Sequence, residues 1–168
     1  VDALVSGMGG EYRTVTVTGP LGTPISAVYG VLPESRTAVI EMAAAAGITL
    51  VPEHLRNPML TTTLGVGEMI LDAIKTQGCR RFIIGIGGSA TNDCGVGMAA
   101  ALGYVFEDED GREIEPYACN IGKIKRIRKP AQLVELDITV ACDVDNPLCG
   151  ERGASAVFGP QKGLKKEQ

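Results

Sequence analysis

RFIIGIGGSATND, residues 81–93, decides the fold class. Its first six residues form a short continuous apolar run of the buried-strand type. A glycine-rich polar loop follows, and then GMAAALG (97–103), small residues suited to a helix with a terminal glycine. Strand, glycine-rich loop and helix in that order make the crossover unit of an α/β protein.

The pattern extends in both directions. Upstream, Val66, Met69, Ile70, Ala73 and Ile74 recur at helical spacing, with Gly78 as the stop. The hydroxyls of Thr61–Thr63 suit the start of that helix. Earlier still, YRTVTV (12–17) alternates, GPLGTP (19–24) is a turn cluster and ISAVYGVL (25–32) is a second strand, which predicts a hairpin. RTAVIEMA, from Arg36, predicts a third strand leading into a helical turn at Ala43–Ala46 that Gly47 ends. Residues 10–42 thus read as β-rich. Downstream, YVF is a strand, DEDG (108–111) a turn and LDITVACDV (136–144) another buried strand. The expected architecture is a three-layer-like α/β unit with a mostly parallel sheet and an N-terminal β-hairpin region.

Composition bounds the function. At 168 residues the chain is one domain's worth, and 45% hydrophobic with 21% charged residues is ordinary globular usage, which excludes wholesale disorder. A formal charge of −4, no Trp and 4% aromatics argue against nucleic acid, whose binders need basic surface and stacking platforms. No apolar run reaches the ~18 residues of a membrane span, and VDALVSGMGGEY does not resemble a signal peptide. The five cysteines have no CxxC spacing, so neither a disulfide framework nor a zinc site is indicated, and reduced cytosolic thiols are the simplest expectation. His54, the single histidine, lies in a Pro-bounded loop without a patterned acid or nucleophile and reads as a surface residue.

Three loops carry candidate chemistry. In the first, Gly87, Gly88, Ser89, Ala90, Thr91 and Asn92 precede a helix start, where unpaired N–H groups and glycines suit a phosphate or carboxylate. The same loop satisfies G-x-G-x-x-A through Gly85, Gly87 and Ala90, with Glu107 and Asp108 about 20 positions on, so a dinucleotide-binding oxidoreductase is permitted. It lacks the GK[ST] of a Walker loop. A tight turn that only packs a helix on a sheet is equally compatible. The second loop, CDVDNPLCG (142–150), offers Asp143, Asp145 and Asn146 for Mg²⁺ with phosphates or for a base, or for a simple Asx-turn before Pro147. In the third, GPQKG (159–163), Lys162 is placed either to reach a phosphate or to sit in solvent. Ile121, Ile124 and Ile127, threaded through the basic KIKRIRK (123–129), read as a buried stripe under a charged face. Cys94 reads as an activated thiol at a helix start or as a packing residue.

RNPMLTTTLGVGEMI (56–70), IGIGGSATND (84–93), ACDVDNPLCG (141–150) and GASAVFGPQKG (153–163), in that order, resemble the bacterial glycerate kinases. The resemblance implies transfer of the γ-phosphoryl of ATP, with Mg²⁺, to a hydroxyl of D-glycerate, giving 2-phosphoglycerate. It also implies a fold of two α/β lobes, one inserted in the other, with the site between them. Members of the family are roughly twice this length, so residues 1–168 are expected to be the central part, or one lobe, of a larger two-domain enzyme. Alone, they are expected not to turn over glycerate. Asp93 and Asp143 become candidates for the base, Asp143 also for anchoring Mg²⁺. Gly87 to Asn92 become the anion-binding loop, Asp145 and Asn146 support the second loop as further phosphate- or substrate-binding candidates, and Lys162 becomes the neutralising cation. The expected partners are D-glycerate and the rest of the polypeptide, with a homo-oligomer compatible and neither nucleic acid nor membrane involved. Cys94, where glycine is common, and the basic 123–129 stretch depart from the family's pattern. A non-catalytic α/β domain is the third reading.

Overall fold

A computed structural model describes residues 1–132 and 135–165. A short helix α1 (Asp2–Gly7) precedes the strands β1 (Glu11–Thr18), β2 (Pro24–Leu32) and β3 (Thr37–Glu41). The turn α2 (Ala43–Ala46), the long helix α3 (Leu64–Gln77), strand β4 (Arg81–Gly85) and helix α4 (Val96–Ala101) follow. Strands β5 (Val105–Glu107), β6 (Arg126–Arg128) and β7 (Asp137–Ala141) and helix α5 (Ala154–Phe158) complete the order.

The main sheet runs β1-β2-β3-β4-β7. Its first two pairings are antiparallel, from the predicted hairpin and its return strand, and its last two are parallel, from the crossovers through α3 and past α4. Strand alternation sorts the side chains into layers. Ala38, Ile40, Phe82 and Ile84 face α3, which buries Val66, Met69, Ile70 and Ala73 against them. Val39, with Leu32, packs under Val5 of α1 on the opposite face. Full burial of a side chain such as Met69 or Ile70 is worth about 1.5–3 kcal/mol, so the α3 face is the main source of cohesion. Gly78, at φ 66°, supplies the left-handed stop of α3 that the sequence predicts.

α3 and α4 cross at backbone distance. A Cβ on Gly67 would collide with the Met98 carbonyl, and one on Gly97 with the Thr62 hydroxyl and, at 2.6 Å, the Leu64 nitrogen. Only glycine allows this approach, and it carries the start of α4 directly onto the start of α3.

Two expectations need correction. The strand within 136–144 forms and pairs in register with β4, but it is not buried: all its residues are exposed, Ile138 at 40% and Val140 at 53%. Among the described residues it is the last strand of the sheet, with a ladder on one side only. The isoleucine stripe also fails. Residues 118–123 form a 3-10 turn and 126–128 a strand, so spacing of three no longer shares a face, and Ile127 is 58% exposed. Arg126 and Arg128 of that strand instead reach the nearly buried Glu107 carboxylate, at 3.5 and 3.2 Å. Among the described residues no helix is long and apolar enough to cross a membrane.

Candidate functional site

β4 and β7 end side by side, and their parallel pairing sends the loops that follow, 86–95 and 142–153, out of the same edge of the sheet. This is where open α/β sheets bind ligands. A cavity of about 390 Å³ lies there. Gly87, Gly88 and Ser89 line it from the first loop, Asp143 and Val144 from the second, and Phe158, Gln161 and Lys162 from the C-terminal segment.

The first loop is held from three sides. Gly88, at φ +68°, turns the chain so that its carbonyl accepts from Ile48 N–H at 2.8 Å, while Ala90 N–H donates to the Ala46 carbonyl at 2.8 Å. The Thr91 hydroxyl donates to the Thr61 carbonyl at 3.1 Å, and the Thr61 hydroxyl donates to the Ala90 carbonyl at 3.1 Å. Ala90 and Thr91 are therefore buried behind the cavity rather than in it. The amides of Gly87, Gly88 and Ser89 donate to no protein acceptor among the described residues.

Asp93 is 1% exposed, and its carboxylate is fully engaged. Oδ2 accepts from Thr63 N–H at 2.7 Å, Thr63 Oγ1 at 2.7 Å and Gly97 N–H at 3.2 Å, and Oδ1 accepts from Gly95 N–H at 3.1 Å. The start of α4, where the sequence reading seats an external anion, is thus filled by the protein's own carboxylate. The three threonines do not cap α3 in the simple way expected. Thr63 hydroxyl accepts from Met98 N–H, and Thr62 hydroxyl accepts from Leu64 N–H. Together they stitch the two helix starts and the loop into one unit. A run of three hydroxyls next to a glycine-rich loop was the available signal for this role.

Lys162 is not a solvated lysine. It is 8% exposed, and its ammonium donates to Ser89 Oγ at 2.8 Å, the Thr91 carbonyl at 2.8 Å and Asn92 Oδ1 at 3.1 Å. Burial lowers its pKa from the usual lysine value, and the nearby Asp93 charge works against that shift. All three donors hold the loop, so what the cavity receives from Lys162 is positive charge and a rigid wall. The Asn92 amide extends the same link by donating to Ser155 Oγ at 3.3 Å.

In the second loop the predicted residues divide. Asp143 is exposed and lines the cavity. Asp145 is exposed, 4.0 Å from Arg152, and outside the cavity lining. Asn146 ties the loop together by donating to the Arg152 carbonyl at 2.9 Å. No cluster of three or more metal-ligand side chains occurs among the described residues. One carboxylate beside backbone donors still fits Mg²⁺ arriving with phosphates, since that ion commonly uses one or two carboxylates and keeps its other positions for phosphate and water.

The dinucleotide reading loses its support. Glu107 is spent on Arg126 and Arg128, and Asp108 Oδ1 accepts from Asp110 and Arg112 N–H in its own turn, both at 2.9 Å. Neither acid is available to a ribose. Nor is Cys94 an activated thiol: burial first, then Asp93 and Cys149, raise its pKa above the ordinary thiol value. His54 is exposed, as expected.

A family model described as the glycerate kinase family matches residues 1–168. A glycerate kinase of Bacillus subtilis (strain 168) is 51% identical over 166 residues, covering 97% of this chain and 43% of the relative. A glycerate 2-kinase of Escherichia coli (strain K12) is 46% identical over 169 residues, covering 99% of this chain and 44% of the relative. A crystal structure of a Salmonella typhimurium LT2 protein, provisionally named glycerate kinase 2, superposes with a TM-score of 0.90 at 46% identity, over 99% of this chain and 46% of that one. The chain thus spans less than half the length of these relatives.

Proposed function

This chain belongs to the glycerate kinase family, and from that premise we propose that the polypeptide carrying it phosphorylates D-glycerate with ATP, to 2-phosphoglycerate. The observation that carries the reading is the shared cavity, where three glycine-rich-loop amides, one exposed carboxylate and one buried ammonium come together. Phosphoryl transfer needs little covalent help from the protein. It needs an aligned acceptor and neutralised charge.

The amides of Gly87 to Ser89 hold anionic oxygens, and the Lys162 charge lowers the energy of negative charge that builds up beside them. Asp143 takes the proton of the acceptor hydroxyl as its oxygen bonds to the γ-phosphorus and the bond to the ADP oxygen breaks. Mg²⁺, when bound, supplies further neutralisation of phosphate charge, with Asp143 as the side chain on hand to hold it. Asp93, Thr61–Thr63, Asn92 and Asn146 position these groups and touch no substrate. We place the reaction in the cytoplasm, where five unpaired cysteines stay reduced.

The test is a coupled assay of the intact polypeptide with ATP, Mg²⁺ and D-glycerate. Glycerate-dependent ADP release is expected, and ³¹P NMR of the product separates the 2- from the 3-phosphate. NAD(P)H binding without ADP release would overturn the reading.

A further inference from the structure

Arg56 stands out among the charged residues near the site. It is half-buried, and its Nε is buried without a hydrogen-bond partner. Among the described residues its guanidinium makes no hydrogen bond and no ion pair. Glu53, three residues earlier, is exposed and does not pair with it. An unanswered buried guanidinium N–H carries a desolvation penalty that an oxyanion would relieve.

Its backbone is fixed against the site. Gly163, at φ +91°, presses so closely on the Arg56 carbonyl that a Cβ there would collide with it. Gly163 directly follows the cavity-lining Lys162. Two residues beyond Arg56, the Pro58 carbonyl accepts from Asn92 N–H of the glycine-rich loop at 3.4 Å. The 56–58 segment is therefore packed between the loop that offers backbone amides and the turn that offers Lys162.

Resting on the kinase reading above, we propose that Arg56 is a substrate-binding residue, whose guanidinium takes two oxygens of a substrate anion: the carboxylate of the hydroxy acid or a phosphate of the nucleotide. The planar fork of arginine matches either group bidentately.

The experiment uses the intact polypeptide with Arg56→Gln and Arg56→Lys. Arg56→Gln is expected to raise one KM at least tenfold, with kcat within about threefold and Tm within about 2 °C of the parent; Arg56→Lys restores part of the loss. A rise confined to D-glycerate identifies the carboxylate, and one confined to ATP identifies a phosphate. Both KM values within twofold of the parent overturn the proposal. If Arg56→Gln does not fold, the KM values of Arg56→Lys decide by the same criterion. Should the parent itself release no ADP with glycerate, the kinase reading fails separately. Arg56 is then tested by melting parent and Arg56→Gln with inorganic phosphate and with D-glycerate. Stabilisation of the parent alone supports the proposal, and equal responses overturn it.

Discussion

Replacing Asp93 with Asn separates a holding role from a chemical one. Asn keeps the shape but has one acceptor oxygen and no charge. If that oxygen stays on the side of Thr63 and Gly97, three bonds survive as neutral ones, each weaker by about 1 kcal/mol. Its NH₂ then meets Gly95 N–H, donor against donor, and orphaning that amide costs about 1–3 kcal/mol more. The expected loss is roughly 4–6 kcal/mol, which for a domain of this size lowers Tm by roughly 8–24 °C. Calorimetry and urea titration measure it, with kcat at a temperature where the variant is still folded. A Tm within 2 °C of the parent would refute the clamp. A normal Tm with kcat down a thousandfold would return Asp93 to the role of base.

Asp143→Asn should lower kcat at least tenfold with Tm unchanged, because Asp143 is an exposed residue of the cavity wall rather than part of the core; steady-state kinetics with circular dichroism check this, and activity within twofold would leave Asp143 a turn residue. Gly88→Val places a branched side chain at φ +68°, at a cost of about 1–2 kcal/mol for a left-handed residue, and its Cβ would stand 3.5 Å from Ala43 Cβ; the KM for substrate should rise more than Tm falls. Tyr29, buried and donating to Asp72 at 2.6 Å, has its pKa raised above the usual 10.0, by burial first and then by the Asp72 bond. The folded state holds this proton where the unfolded state has lost it, so this part of the stability is complete below pH 10 and falls as pH rises above it. Urea titrations at pH 8 to 11 should show a shallower alkaline decline in Tyr29→Phe.

The sequence was most readable where its signals were local. The alternation of 12–17, the turn at 19–24 and the apolar run at 81–86 each specify their strand through neighbours in the chain. Period alone, however, cannot tell an interior strand from an edge strand, so Ile138 and Val140 read as buried but are exposed among the described residues. The site was half legible for the same reason. That 87–89 leaves backbone amides open to a ligand is suggested by its glycines, but that Asp93 already fills the helix start depends on Thr63, 30 residues away. Whether Lys162 reaches inward or sits in solvent stays open in the sequence because its three acceptors lie 70 to 73 positions upstream. Arg56 carries no local signal either. Its importance is a missing partner, visible only once its described neighbours are in place.

The reach of Lys162 has a consequence for how the chain is made. Ser89 and Asn92 leave the ribosome some 70 residues before the lysine that holds them. At about 5–20 residues per second, the glycine-rich loop waits roughly 4–14 s for its clamp. During that interval β1 to β4 can already pair, since the last of these strands ends at Gly85, ahead of the loop itself. Translation therefore delivers β1 to β4 well before the lysine that tightens the glycine-rich loop.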